Sequence, residues 1–216
     1  SKLSGQEVVL TEKDELALPK HTRLPSDGIR NLFSDTTDRP QALQNLHFVA
    51  KEISKYAKQL EAIGVARYSL SDFYNALSDR DWLQSRTIDW LLKLYAYFLG
   101  PNNLNINSLR TLPILPIEGG KTIASSEGII FFFSAEGVQA LARQTDADLS
   151  FSGTYLLNQE FCRQIAENQA LVSWLENELC VRKFSLSTYL IDSLIPYLKK
   201  RLLHLRSKDI LDLTQL

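Results

Sequence analysis

The chain has 216 residues, 44% of them hydrophobic and 23% charged, and a formal net charge of −1 at pH 7. That length can bury a full core, and the near-neutral balance excludes bulk attraction to nucleic acid or to an anionic membrane. No apolar run approaches the roughly 18–20 residues that span a bilayer, and the opening "SKLSGQEVV" has no apolar signal region, so no membrane and a cytoplasmic location are expected. Cys162 and Cys180 are too few for a disulfide framework and, among apolar neighbours, read as reduced, buried thiols of an intracellular protein. A chain that begins at Ser1 and contains no methionine reads as a piece of something longer.

In chain order, residues 1–40 read as irregular, broken by Pro19, Pro25, Pro40 and the Ser26-Asp27-Gly28 turn. Residues 41–105 read as a helical unit. Leu43, Leu46, Ala50, Ile53, Ala57 and Leu60 predict one helix with an apolar stripe, stopped by Gly64. Ser69 or Ser71 then caps a short helix through Leu77. "DWLQSRTIDWLLKLYAYFL" predicts a third helix over 81–99, apolar nearly all round from Trp90 and ended by Gly100-Pro101.

Residues 106–155 read as an insert containing a β-hairpin, with "LRTLPILPIEGG" and "KTIASSEGIIFFF" paired around a Gly-Gly turn. Pro113 and Pro116 each lack an amide donor, so the first run is expected at a sheet edge. A helix over about 135–143 and a strand near 149–152 follow. Residues 156–216 read as a second helical unit, with a helix capped by Asn158, another ending near Leu179, and a last one over about 187–206. Pro196 should kink that last helix or start a new one.

One stretch occurs twice. "IGVARYSLS" at 63–71 aligns without gaps to "LCVRKFSLS" at 179–187, pairing Val65 with Val181, Arg67 with Lys183 and Tyr68 with Phe184. Each copy follows a helix containing Leu-Glu. In each, a helix ends, a valine and an aromatic enter the core, and a Ser-x-Ser step caps the next helix. Two related supersecondary units are therefore expected.

The chemistry-bearing candidates are few. "EGGKT" at 118–122 matches the tail of a P-loop, but the leading glycine is replaced by Leu115 and a strand-like run follows where a helix is needed. It reads as a turn. His21, His47 and His204 are widely separated and have no metal-ligand spacing. Lys199, Lys200, Arg201, Arg206 and Lys208, interleaved with leucines, fit a nucleic-acid or partner surface, but without aromatic stacking residues nearby the favoured reading is a helix C-terminus whose dipole favours cations.

The order "EAIGVARYSLSDFYNAL", "DWLQSRTIDWLLKLYAYFL", "TLPILPIEGGKT", "IIFF" and "ENELCVRKFSLSTYLIDSLIPYL" resembles the region downstream of the ATPase module in large sacsin-like and NO VEIN-like proteins. The resemblance covers roughly residues 42–198 and rests on packing residues. Those proteins carry an Hsp90/histidine-kinase type ATP-binding module with Glu-x-x-x-Asn and Asp-x-Gly-x-Gly motifs. Neither motif occurs in this chain, so the resemblance carries over no catalytic or nucleotide-binding residue.

The expected fold is α+β, mainly helical, with two related helical halves flanking a small β-hairpin or sheet. The expected function is that of a non-catalytic structural or interaction domain, with no cofactor, whose partner is a protein or other domains of a longer chain. Two alternatives stand beside it: a nucleic-acid-binding module using the 199–208 cluster, and a small enzyme whose site is assembled from distant residues.

Overall fold

A computed structural model describes residues 5–35, 38–100, 104–139, 153–196 and 199. The chain is α+β and mainly helical, with sheets of two or three short strands. It divides into two compact units, Ser1–Ile114 and Leu115–Leu216.

The first unit opens with an antiparallel hairpin, β1 (Val9–Leu10) and β2 (Leu16–Ala17), turned through Asp14 at φ 59°. A 3-10 turn (Pro19–His21) leads into β3 (Thr22–Leu24), and Ser26 caps α1 (Asp27–Leu32) by accepting from the Ile29 amide. Next come β4 (His47–Phe48), a 3-10 stretch (Lys51–Tyr56) running into α2 (Ala57–Ala62), β5 (Ala66–Arg67) and α3 (Leu70–Leu77). The parallel sheet has the order β4-β3-β5. Residues 1–40 are thus not irregular: they supply a hairpin, the central strand and a helix. Such short strands carry no periodicity to read, and their hydrogen-bond partners lie far along the chain.

The helix expected over 43–60 exists only in its second half. Leu43 sits on a 3-10 turn, and His47–Phe48 pairs with Thr22 and Arg23 instead. Phe48 and Val49 are both 0% exposed. They fall outside the predicted stripe, and the extended backbone buries both, which a helix built on that stripe would not.

The helix expected over 81–99 is two helices, α4 (Arg80–Gln84) and α5 (Ile88–Phe98). Thr87 divides them, its side chain accepting from the Trp90 amide as the cap of α5. The break lets Trp82 and Trp90 meet edge to face, 5.1 Å between ring centroids, with Phe33 stacked on Trp82. Helix α5 buries only one face (Leu91, Leu94, Tyr95 and Phe98), leaving Lys93 and Ala96 exposed. Helix α6 (Ile106–Arg110) closes the unit.

The second unit begins with the expected hairpin, β6 (Leu115–Pro116) and β7 (Thr122–Ile123). A 3-10 turn (Ser125–Glu127), β8 (Ile129–Phe131), helical residues 135–139 (α7) and β9 (Thr154–Leu156) follow. The strand expected near 149–152 lies outside the described residues, as does the end of the helix expected over 135–143. Strand β6 is not an edge. The Pro116 carbonyl accepts from the Asn158 amide (2.9 Å) and Glu118 N–H donates to Leu156 (3.0 Å), on the side away from β7. Proline removes only a donor, and its acceptor is used.

Asn158 caps α8 (Gln159–Ile165), and α9 (Gln169–Glu178) ends at Leu179. Ser185 caps α10 (Leu186–Tyr189), which passes into a π-helical stretch, Leu190–Leu194. Pro196 is itself helical, so it starts no new helix. The wide turn before it accommodates the missing amide and the crowded carbonyl four residues back.

The two units share one plan. Each runs hairpin, 3-10 turn, strand, Ser-capped helix, parallel strand, helices, short parallel pairing and Ser-capped helix. The hairpin registers match: Val9↔Ala17 and Leu10↔Leu16 in one, Leu115↔Ile123 and Pro116↔Thr122 in the other. The antiparallel bridge Thr11↔Val49 recurs as Ile117↔Leu157, and β5 on β3 recurs as Arg182 on Phe131 of β8. The hairpin expected between two helical halves is therefore the start of the second, and the first has its own.

Candidate functional site

The turn at Gly119-Gly120 is a hairpin corner. Both glycines have positive φ (89° and 77°), Ile117 N–H donates to the Lys121 carbonyl at 2.9 Å, and strand β7 follows directly. A phosphate cradle needs successive amides feeding a helix N-terminus, and the backbone here turns into a strand instead. Gly120 stands where Asp14 stands in the first hairpin, so the corner belongs to the repeated scaffold.

The nine-residue repeat superimposes chemically as well as in sequence. Gly64 (φ 105°) and Cys180 (φ 58°) both take left-handed backbone one residue before a valine that is 2% exposed. Val65 N–H donates to Leu60 and Val181 N–H to Leu175, each at 3.0 Å, closing the preceding helix. Arg67 pairs with Glu61 at 2.6 Å and Lys183 with Glu176 at 3.2 Å, so even the surface ion pair is repeated. Tyr68 packs on Phe33 and Phe48, and Phe184 on Phe131 and Tyr189. Ser69 accepts from the Asp72 amide in a capping box, and Ser185 from the Thr188 amide.

The titratable groups serve this scaffold. Glu12 bonds Arg39 and lies 3.8 Å from Arg30, with side chains 14%, 5% and 15% exposed. Arg39 also donates to the Phe33 carbonyl (3.0 Å) and lies over the Phe48 ring, while Arg30 donates to Ser54 (3.2 Å). This cluster was missed in the sequence because its members are spread over 28 residues of it (12 to 39). Burial with near-complete pairing fits a clamp between hairpin and sheet. Tyr95 is 0% exposed and its hydroxyl donates to the Ile114 carbonyl at 2.7 Å. Burial pushes the Tyr95 and Tyr68 phenols well above their ordinary value, with Asp72 adding to the rise at Tyr68.

His21 is exposed, His47 is half-buried on β4, and His204 lies outside the described residues. Among the described residues no group of three or more His, Cys, Asp or Glu side chains is placed to hold a metal. Neither cysteine is fully buried as expected: Cys180 is exposed at a left-handed turn after α9, and Cys162 is half-buried with its sulfur accepting from the Phe133 amide at 3.4 Å. Burial pushes the Cys162 thiol up, the Phe133 amide opposes the rise and Glu118 adds to it. A groove of about 700 Å³ runs between α1 and α5, past Ser26, Asn31, Lys93 and Tyr97.

Of the basic cluster, Lys199 is exposed on a helical residue, and Lys200, Arg201, Arg206 and Lys208 lie outside the described residues. The exposed apolar residues are the more informative surface. Leu186, Leu190, Ile191 and Ile195 are 57%, 36%, 63% and 44% exposed along one helical stretch. Their spacing was legible in the sequence, but nothing there distinguishes an open ridge from a core-facing one. No helix among the described residues is long and apolar enough to cross a membrane. No protein-family model, curated protein or solved structure matches the chain.

Proposed function

We propose that the chain is a non-catalytic interaction segment of a larger chaperone-like or ATPase-linked protein, akin to the region beyond the ATP-binding module in sacsin-like and NO VEIN-like proteins. The observation that carries this reading is the duplication of a whole unit, down to its hairpin register, helix caps and surface ion pair. Serial units of one plan suit transmission of movement or presentation of surfaces along a chain. The buried charged groups of the first unit, Glu12 with Arg39 and Arg30, support that reading by tying one element to another. The turn at Gly119-Gly120 supports it too, being a corner that both units possess.

Calorimetric titration of the purified chain with ATP and magnesium tests the proposal. The expected outcome is no binding heat and no turnover from a chain that unfolds cooperatively. ATP hydrolysis by the chain, abolished by Lys121→Ala, would overturn it. Salt-sensitive binding to nucleic acid, lost when Lys199, Lys200 and Arg201 are changed to Ala, would replace it with a nucleic-acid module.

A further inference from the structure

The helix that Ser185 caps runs on where its counterpart in the first unit stops. With Ser69 matched to Ser185, α3 and its exit correspond position by position to Leu186–Pro196. In the first unit α3 ends at Leu77. Ser78 closes it, and Asp79 turns extended (φ −72°, ψ 91°) to cap α4, which opens at Arg80. In the second unit Leu194 and Ile195 hold the places of Ser78 and Asp79, yet both stay helical. So does Pro196, which stands where Arg80 opens α4.

Each arrangement carries a defect that the other lacks. Asp79 accepts from the Trp82 amide at 3.1 Å, and Ile195 has no side-chain oxygen to do the same, so a break there goes uncapped. Pro196 would nonetheless suit a break, because the first position of a new helix tolerates proline best. Within a continuous helix the same proline removes an amide donor and crowds the Asp192 carbonyl. Continuity depends on the π stretch, where Ile195 N–H donates to the Leu190 carbonyl five residues back.

A charge tips the balance toward the continuous form. Asp192 holds the place of Ala76, which is 0% exposed. An α-helix in the register of α3 carries Asp192 toward that buried place. The wide turn lets it pair with Arg182 instead, their side chains 32% and 46% exposed.

We propose that Leu190–Pro196 is a two-state joint. One state is continuous through the π stretch. The other is broken at Leu194–Ile195, as the first unit is broken at Ser78–Asp79, with Pro196 as a first helical residue. The joint deepens the reading of the chain as a segment that transmits movement, and it rests on that reading. It also sets which surface the helix shows. Ile191 and Ile195, 63% and 44% exposed, stand four residues apart along the continuous helix. Extended backbone at Ile195 takes that residue out of the line.

NMR relaxation dispersion on the full chain tests it. Wild type is expected to show microsecond-to-millisecond exchange at the Leu190–Ile195 amides, with a minor state on the order of 1%. The minor-state shifts of Leu194 and Ile195 should be non-helical. Ile195→Asp supplies the cap that Asp79 provides, so it should raise that population about fivefold at unchanged Leu194 minor-state shifts. Pro196→Ala removes the defect of the continuous form and should lower the population about a hundredfold, past detection. Both side chains are exposed, so each variant should keep the fold. Wild type without dispersion at these amides overturns the proposal. So does an Ile195→Asp population that fails to rise, and so does a minor state with unfolded shifts from Leu186 onward, which would be fraying. None of these failures touches the ATP titration, so the broader reading stands or falls separately.

Discussion

Cys180 and Asp14 are the two non-glycine residues with positive φ among the described residues, and each has a glycine as its repeat partner: Gly64 and Gly120. The backbone conformation belongs to the plan, and the side chain is what varies. Left-handed backbone costs an L-residue about 1–2 kcal/mol, less for Asp, whose short polar side chain tolerates it. Glycine escapes that cost but loses more freedom on folding. Cys180→Gly is accordingly expected to stabilise the chain by about 0.5–1 kcal/mol, read from urea unfolding at unchanged m-value. A loss of stability would show that the Cys180 side chain contributes packing its exposure does not suggest.

At the scale of elements, the first hairpin is fixed by a side chain as well as by its ladder. Glu12 reaches Arg39, which in turn bonds the end of α1 at Phe33 and covers Phe48 on β4. Glu12→Ala leaves two guanidiniums, 5% and 15% exposed, without their carboxylate. The expected cost is on the order of 3 kcal/mol, as for breaking a buried ion pair. Hydrogen exchange should show the largest loss of protection at the β1–β2 amides. In the second unit the same position, Glu118, accepts from the Gln159 amide at 2.6 Å and so ties its hairpin to α8. The hairpin is anchored in both copies, by different partners.

Across the whole molecule, buried phenols set the response to alkali. Tyr95 and Tyr68 in the first unit keep their protons to far higher pH than an unfolded chain does, chiefly because burial penalises the phenolate. Below pH of about 10 both states hold the proton and their contribution is intact. Above it the unfolded chain releases protons that the folded chain retains, so stability falls as pH rises. The slope from Tyr95 alone is about 1.4 kcal/mol per pH unit. Tyr95→Phe should lower stability at pH 8 by about 1 kcal/mol, since the Ile114 carbonyl loses its donor, yet flatten the fall above pH 10. Denaturant titrations of the two proteins at pH 8 and pH 11 compare these directly.

What the sequence determined by itself is local. The Ser69 and Asn158 caps, the stops at Gly64 and Leu179, the Gly119-Gly120 corner and the nine-residue repeat all depend on interactions within a few residues, and each is where the pattern places it. The α+β, mainly helical class follows from the same patterns. The tertiary structure alone decided the rest. It made Phe48 and Val49 extended where a stripe suggested helix, because Arg23 and Thr11 supply their pairing from 25 and 38 residues away. It also drew residues 1–40 into a unit and turned a short echo into a duplicated plan. Strands of two or three residues have no period to display, and their hydrogen bonds reach partners that no local window contains.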